Sequence, residues 1–169
     1  TNQMLLAWFG VAVSSPLAGF WSENSKSNLT PILTCYSLGF ISTALIISGQ
    51  VTSPMIINIL LFSMGITAGG QPIAFGFVSK VSSENILASA VGFCNVCVIA
   101  GAFILQPVVG YLLQSGWDGN EVNSLPVYKL INYQHAFLPI LISMALGIIA
   151  CLSFNKTIAK ERDENAEQA

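Results

Sequence analysis

The sequence predicts an all-helical integral membrane fold with five transmembrane spans, and three observations carry that prediction. Charged residues make up 8% of the 169 positions, where a soluble domain carries about a quarter. The charge-free gaps are long, the longest running from Lys26 to Lys80 and another from Glu84 to Asp118. The apolar stretches near residues 3–21, 31–49, 54–77, 86–113 and 136–154 each approach the roughly 20 residues needed to cross a hydrocarbon core. A charge at the centre of a spanning helix costs about 2.5–3.5 kcal/mol on insertion scales, so a chain destined for lipid excludes it. No stretch shows the alternation of a membrane barrel strand. A net charge of −2 without a basic stripe argues against a nucleic-acid partner.

The elements follow in order. The first span, 3–21, is too long and lacks the basic leader of a signal peptide. Because the chain opens at Thr1 rather than at a methionine, it is expected to be a piece of something longer. A polar loop at 22–30 holds one acid, Glu23, and one base, Lys26. The second span, 31–49, is followed by an uncharged turn at 50–53. The third, 54–77, contains Gly65, Gly69 and Gly70 ahead of Gln71-Pro72, where the proline's missing amide hydrogen invites a bend. After a polar loop at 79–85 comes the fourth span, 86–113, with Gly92, Gly101 and Gly110 at nine-residue intervals. Close helix packing and bending during a gating motion both use such glycines. The longest loop, 115–134, holds Gly116, Trp117, Asp118, Gly119 and Pro126. Tyr133 and His135 at its far edge suit an aromatic belt ahead of the fifth span, 136–154. Residues 156–169 form a charged tail, expected as a frayed helix in water, so 1–155 is the membrane domain.

Basic residues set the orientation. If the first span runs outside to inside, Lys26, Lys80, Lys156, Lys160 and Arg162 are cytoplasmic and only Lys129 is external, a clear positive-inside bias. The N-terminus is then outside and the C-terminus cytoplasmic. The glycosylation patterns at Asn28 and Asn155 fall on the cytoplasmic side and are discounted. The first span reads Gly10, five residues, Pro16, two residues, Gly19, Phe20. The fourth reads Gly101, five residues, Pro107, two residues, Gly110, Tyr111. These spans cross in opposite directions, and inverted repeats with Gly/Pro-interrupted helices point to secondary transporters.

Chemistry in the spans is sparse. No Asp, Glu, Lys or Arg falls within those stretches and His135 is the only histidine, so the metal triads, carboxylate pairs and base-activated nucleophiles of intramembrane hydrolases have no residues to build on. An enzyme is not expected, nor a cofactor or metal. Cys94 and Cys97 form a C-x-x-C without a second pair or histidine nearby, and Cys35 and Cys151 also lie in spans; packing accounts for all four. What remains at membrane depth are the amides Asn58, Gln71, Asn95 and Gln106. Asn95 and Gln106, eleven residues apart, return to within about 20° of one direction on a helix, sharing a stripe with Val91, Val98, Ala102 and Val109. Amides should avoid lipid and face protein or water. They serve either as interhelical hydrogen bonds, worth about 0.6 kcal/mol each, or as a polar wall of a substrate cavity.

The first polar loop carries a family resemblance. Residues 15–28 resemble the loop signature of the major facilitator superfamily, G-x-x-[SA]-D-x-x-x-R-[RK]. Gly19, Ser22 and Glu23 stand at the glycine, small-residue and acid positions, and the basic positions are reduced to Lys26 among Asn24, Ser27 and Asn28. Residues 92–111 resemble the eleventh helix of bacterial metabolite:proton symporters of this superfamily, Gly69-Gly70-Gln71-Pro72 the tenth, and residues 128–136 the approach to the twelfth. The five spans then look like helices eight to twelve of a C-terminal half.

That resemblance implies a multi-pass protein of a bacterial inner (plasma) membrane, with the lipid bilayer and the first half of the same transporter as partners and a small polar metabolite as substrate. Asn2, Gln3 and Trp8 join Asn58, Gln71, Asn95 and Gln106 as substrate-facing candidates. Gly19, Ser22, Glu23 and Lys26 form the gate loop, and Pro16, Pro72, Gly101, Pro107 and Gly110 are candidate bending points. Alone the chain should not transport, and proton coupling would rest on residues elsewhere. A stand-alone bundle acting as a structural or assembly partner is the alternative.

Overall fold

The computed structural model describes residues 2–25 and 29–167, with the side chains of Asn2 and of 155–167 excepted. Six α-helices account for nearly all of it: α1 (Asn2–Asn24), α2 (Leu29–Ser48), α3 (Pro54–Ile66), α4 (Gly70–Val81), α5 (Leu87–Ser115) and α6 (Leu130–Glu167). A single 3₁₀ turn, Thr67–Gly69, joins α3 to α4. Five segments are long and apolar enough to cross a membrane: Gln3–Asn24, Leu29–Ser48, Pro54–Val81, Leu87–Ser115 and Leu130–Phe154. The only charges they carry are Glu23 and Lys80 near their ends.

Several bounds differ from the sequence reading. The third span continues to Val81, and the fifth begins at Leu130, six residues before the expected 136. Its helix also continues without a break through Glu167. At about 1.5 Å per residue, 38 residues span roughly 57 Å, far more than a hydrocarbon core of about 30 Å, so one end stands clear of it. The long loop also folds a small antiparallel hairpin, Glu121–Val122 against Leu125–Pro126, an element the all-helical reading lacks. Asn123 and Ser124 at its tip both have positive φ, 53° and 60°, as a type I′ turn requires.

The break in the third span has a local cause. Pro72 has no N–H to offer the carbonyl of Ala68, and its ring crowds that carbonyl. The chain answers with the 3₁₀ turn just upstream. Glycines seat this turn among its neighbours: a Cβ on Gly39 would run into the Thr67 side chain, and one on Gly69 would lie 2.9 Å from Ser14 Cβ. Regular helix runs through Pro16, Pro107 and Pro139 instead. Before Pro16, the Ser14 and Ser15 hydroxyls both donate to the carbonyl of Val11, at 3.3 and 2.9 Å.

α1 packs along α3, α2 packs on α3 and α6, and α5 touches α6 and α4. The small core gathers Ala18, Cys35 and Ile73, with Ile32 and Ile66 against it. α5 buries none of its residues. Its Phe103 and Tyr111 lie open, as do Met4, Trp8 and Phe9 of α1; lipid or further apolar helices are the natural cover for such surface.

One end of the bundle is tied by side chains of the first turns of α6. Gln134 Nε2 donates to the carbonyls of Ile47 and Ser48, at 3.2 and 3.1 Å, at the C-terminus of α2. Helix C-termini leave carbonyls without intrahelical partners, and these two are satisfied from a neighbour. Gly49 follows with φ +70° and sits against Leu130. Asn132 Nδ2 donates to the carbonyl of Gly116 at the end of α5. The hairpin loop adds Trp117 Nε1 donating to the Asn120 carbonyl at 3.0 Å, Tyr128 Oη donating to Gln114 at 3.2 Å and a 2.7 Å ion pair between Lys129 and Asp118. The hydrogen bond from Lys129 holds the Asp118 carboxyl below the usual carboxylate range, and Asp118 in turn raises Lys129.

Candidate functional site

The four amides at membrane depth are placed on three helices. None of them makes a side-chain hydrogen bond among the described residues. The interhelical bonding that sequence reasoning offered as one of two roles is therefore not made by them among the described residues. Asn58, on α3, lines a recess of about 540 Å³ with Leu6 and Phe9 of α1 and Met55, Ile59 and Phe62 of α3. Phe9 and Phe62 stand there at 6.1 Å between ring centroids, tilted by 43°. Asn58 Oδ1 is buried with no partner. An orphaned amide oxygen in an apolar setting costs about 1–3 kcal/mol, so this position is held against a penalty.

Gln71 lies in the first turn of α4, half-buried beyond the 3₁₀ break. It lines a second recess, of about 320 Å³, with Val11 of α1, Tyr36 of α2, Met64, Gly65, Thr67 and Ala68 of the third span, and Val98 of α5. Val98 belongs to the stripe that carries Asn95 and Gln106, so this recess opens toward the amide flank of α5. Asn95 and Gln106 themselves are exposed. The sequence has them facing protein or water, and among the described residues no helix covers them.

Of the candidates on α1, Gln3 and Trp8 are exposed, and the side chain of Asn2 lies outside the described residues. In the gate loop, Ser22 is buried, while Glu23 is exposed in the last turn of α1 and makes no ion pair among the described residues. Beside it Asn24 Nδ2 donates to the Phe20 carbonyl at 2.9 Å. A Cβ on Gly19 would meet nothing, and Lys26 lies outside the described residues. Lys80 in the last turn of α4 suits the negative end of that helix.

The glycines of α5 do not pack. A Cβ added at Gly92, Gly101 or Gly110 would meet no atom within 4 Å, whereas Gly10, Gly39, Gly65 and Gly69 all meet a neighbouring element closely. Sequence reasoning passed over the amides that do join helices, Asn132 and Gln134. Their signal was two amides just ahead of an apolar run, in the position from which side chains can reach a neighbouring helix end.

Two further recesses are almost wholly apolar. One of about 290 Å³ is lined by Thr43, Ile46, Ile47, Met64, Leu130, Tyr133 and Phe137. The other, of about 210 Å³, lies between α1, α2 and α3 around Leu17, Trp21 and Leu38. Neither brings titratable groups together as a catalytic site would. No group of three or more histidine, cysteine or acidic residues could hold a metal among the described residues.

A family model described as the Major Facilitator Superfamily matches residues 3–169. No curated protein and no solved structure matches the chain.

Proposed function

The chain belongs to the major facilitator superfamily of transporters, and from that premise we propose that it walls one side of a cavity through which a small polar metabolite crosses the membrane. The observation that carries this reading is the state of the amides. Asn58, Gln71, Asn95 and Gln106 lie on apolar spans without side-chain hydrogen bonds among the described residues, and Asn58 Oδ1 is buried as well as orphaned. Polar groups held at membrane depth against a solvation penalty mark pathways and binding sites. Amides both donate and accept, so hydroxyl or amide groups are the ligand features they would recognise.

The opposite wall would come from further helices of the same transporter, with the two halves rocking about a site near the midplane. Glu23 and Ser22 would brace the cytoplasmic gate. Proton or ion coupling would rest on residues outside these spans. The N-terminus of this bundle would face outward and its C-terminus the cytoplasm of a bacterial cell, in keeping with the distribution of basic residues.

Substrate depletion tests this reading. Cells that produce the full transporter, and cells that lack it, are given a mixture of sugars, polyols, amides and carboxylic acids, and the medium is followed by mass spectrometry. Faster, transporter-dependent loss of one hydroxyl- or amide-bearing class supports it. Identical depletion in both strains, with the protein present in the membrane, contradicts it.

A further inference from the structure

The loop between α5 and α6 carries an apolar face that none of the described residues covers. In the hairpin, Val122 stands opposite Leu125 and Glu121 opposite Pro126. Residues directly opposite one another share a face of a strand pair, and successive residues alternate between faces. Val122 and Leu125 therefore lie on one face, joined by Val127 two positions on, while Glu121 lies on the other. Val122 is 61% exposed and Leu125 67%, and Val127 is open as well. The apolar surface continues along the chain through Leu130 and Ile131 into α6. From Ile131 it follows the spanning helix through Leu138, Ile142, Leu146 and Ile149, all exposed, at the intervals that keep to one helical face.

The loop is tied to the level of the helix ends. Tyr128 Oη donates to Gln114 in the last turn of α5, and Asn132 Nδ2 donates to the Gly116 carbonyl just beyond it. α5 runs for 29 residues without a charge, about 44 Å at 1.5 Å per residue, which matches the roughly 40–45 Å of a bilayer with its headgroup layers. Its ends thus fall in the headgroup layers, and the hairpin is folded back against one of them. Inside the loop the polar groups answer one another. Trp117 Nε1 and the Val127 N–H both donate to the Asn120 carbonyl, at 3.0 and 2.9 Å, and Lys129 neutralises Asp118. Groups satisfied in this way tolerate a setting poor in water. The rings of Tyr128 and Tyr133 meet edge to face at 6.0 Å between centroids, and rings with an apolar body and a polar tip favour a membrane surface.

From this placement we infer that the hairpin is a lipid-surface anchor. Val122, Leu125 and Val127 rest in the boundary between headgroups and acyl chains at that end of α5, with Glu121 turned to water. Continuity selects lipid as the occupant. The apolar strip runs on into the exposed face of a membrane-crossing helix, and the one charge along the way, Lys129, is already paired. Such an anchor fixes the depth of the α5–α6 connection and, through Gln134, that of the end of α2. The inference does not depend on what is transported.

Collision measurements test it. In the full-length transporter, with its native cysteines replaced, a nitroxide is attached at Leu125→Cys or at Glu121→Cys and the protein is reconstituted in phosphatidylcholine liposomes. The ratio of collisions with dissolved oxygen to collisions with a water-soluble nickel complex should be several-fold higher at 125 than at 121. A ratio at 125 no higher than at 121 means the hairpin stands in water and overturns the inference. Shielding of 125 from both reagents also overturns it, since protein would then cover the face. A second measurement keeps the native cysteines. Phosphatidylcholine with a diazirine in its acyl chain, irradiated around the reconstituted transporter, should label residues 121–127. Val122→Ser combined with Leu125→Ser should lower that labelling several-fold and leave labelling of α6 unchanged. Labelling confined to the spans contradicts the proposal.

Discussion

Gly10 and Gly65 meet backbone to backbone where α1 crosses α3, with the position of a Gly65 Cβ only 3.0 Å from Gly10 Cα. Two residues without side chains thus let the two backbones approach closely. In lipid, where apolar surfaces gain little from leaving the solvent, such close approach is a main source of association between helices.

Gly65→Ala tests the contact most gently, because the added methyl would press into the carbonyl of Ala7. Overpacking of this kind costs about 1–3 kcal/mol. The melting temperature of the purified protein in detergent should fall by several degrees, whereas Gly76→Ala, at a position open to space, should leave it unchanged or raise it slightly. An unaltered melt for Gly65→Ala would mean the two helices can part at no cost.

Gln134→Leu removes the donors that satisfy the last carbonyls of α2. Unmade bonds to partly buried carbonyls cost about 1–3 kcal/mol. Amide exchange should speed up around residues 46–50 and in the first turn of α6, and the far ends of α1 and α4 should exchange as before. Uniform exchange across the whole protein would contradict a local tie.

Pro72→Ala restores an amide hydrogen opposite the Ala68 carbonyl and removes the ring that crowds it. The 3₁₀ turn at Thr67–Gly69 should relax toward regular α-helix, since the cause of the break is gone. Spin labels on either side of the turn should then report a straighter third span. An unchanged distance between them would shift the cause to the packing of Gly39 against Thr67.

The Asp118–Lys129 pair is exposed and should matter little, with a defined pH dependence. Asp118 is lowered, so its contribution is present above its unfolded value and fades as the pH falls through the folded one. Lys129 is raised, so its contribution is complete below its unfolded value and fades only as the pH rises through the folded one. Between about pH 5 and 9 the difference in stability between the parent and Asp118→Asn should therefore be flat and small, as for other exposed pairs. Thermal melts across that range measure it directly, and a slope within it would show that another titrating group is coupled to the pair.

What the sequence made legible follows from which forces act locally. Exclusion of charge from lipid acts on every residue of a span, so the five spans could be read from charge gaps together with the lengths of the apolar stretches and, between the second and third, an uncharged polar turn ahead of Pro54. The break near Gly69 could be read because Pro72 breaks the hydrogen-bond ladder of its own helix. The start of α6 could not, because Asn132, Tyr133, Gln134 and His135 look like an interfacial loop until their amides are seen to cap α5 and α2. The hairpin was equally hidden, since Asn123-Ser124 lacks the glycine that usually marks such a turn. For the site, the sequence identified which amides lie at membrane depth. Their surroundings depend on neighbouring helices, and the exposure of Asn95 and Gln106 could not be read from α5 alone.

The most direct measurement is uptake by the full-length transporter carrying Asn95→Leu and Gln106→Leu together, alongside its amount in the membrane by quantitative immunoblot. If the amides form a cavity wall, uptake of the transported class should fall at least tenfold while the protein remains at parental level, and either single variant should weaken apparent affinity. Uptake at parental rate and affinity in the double variant would contradict the account, and would leave those amides as packing residues only.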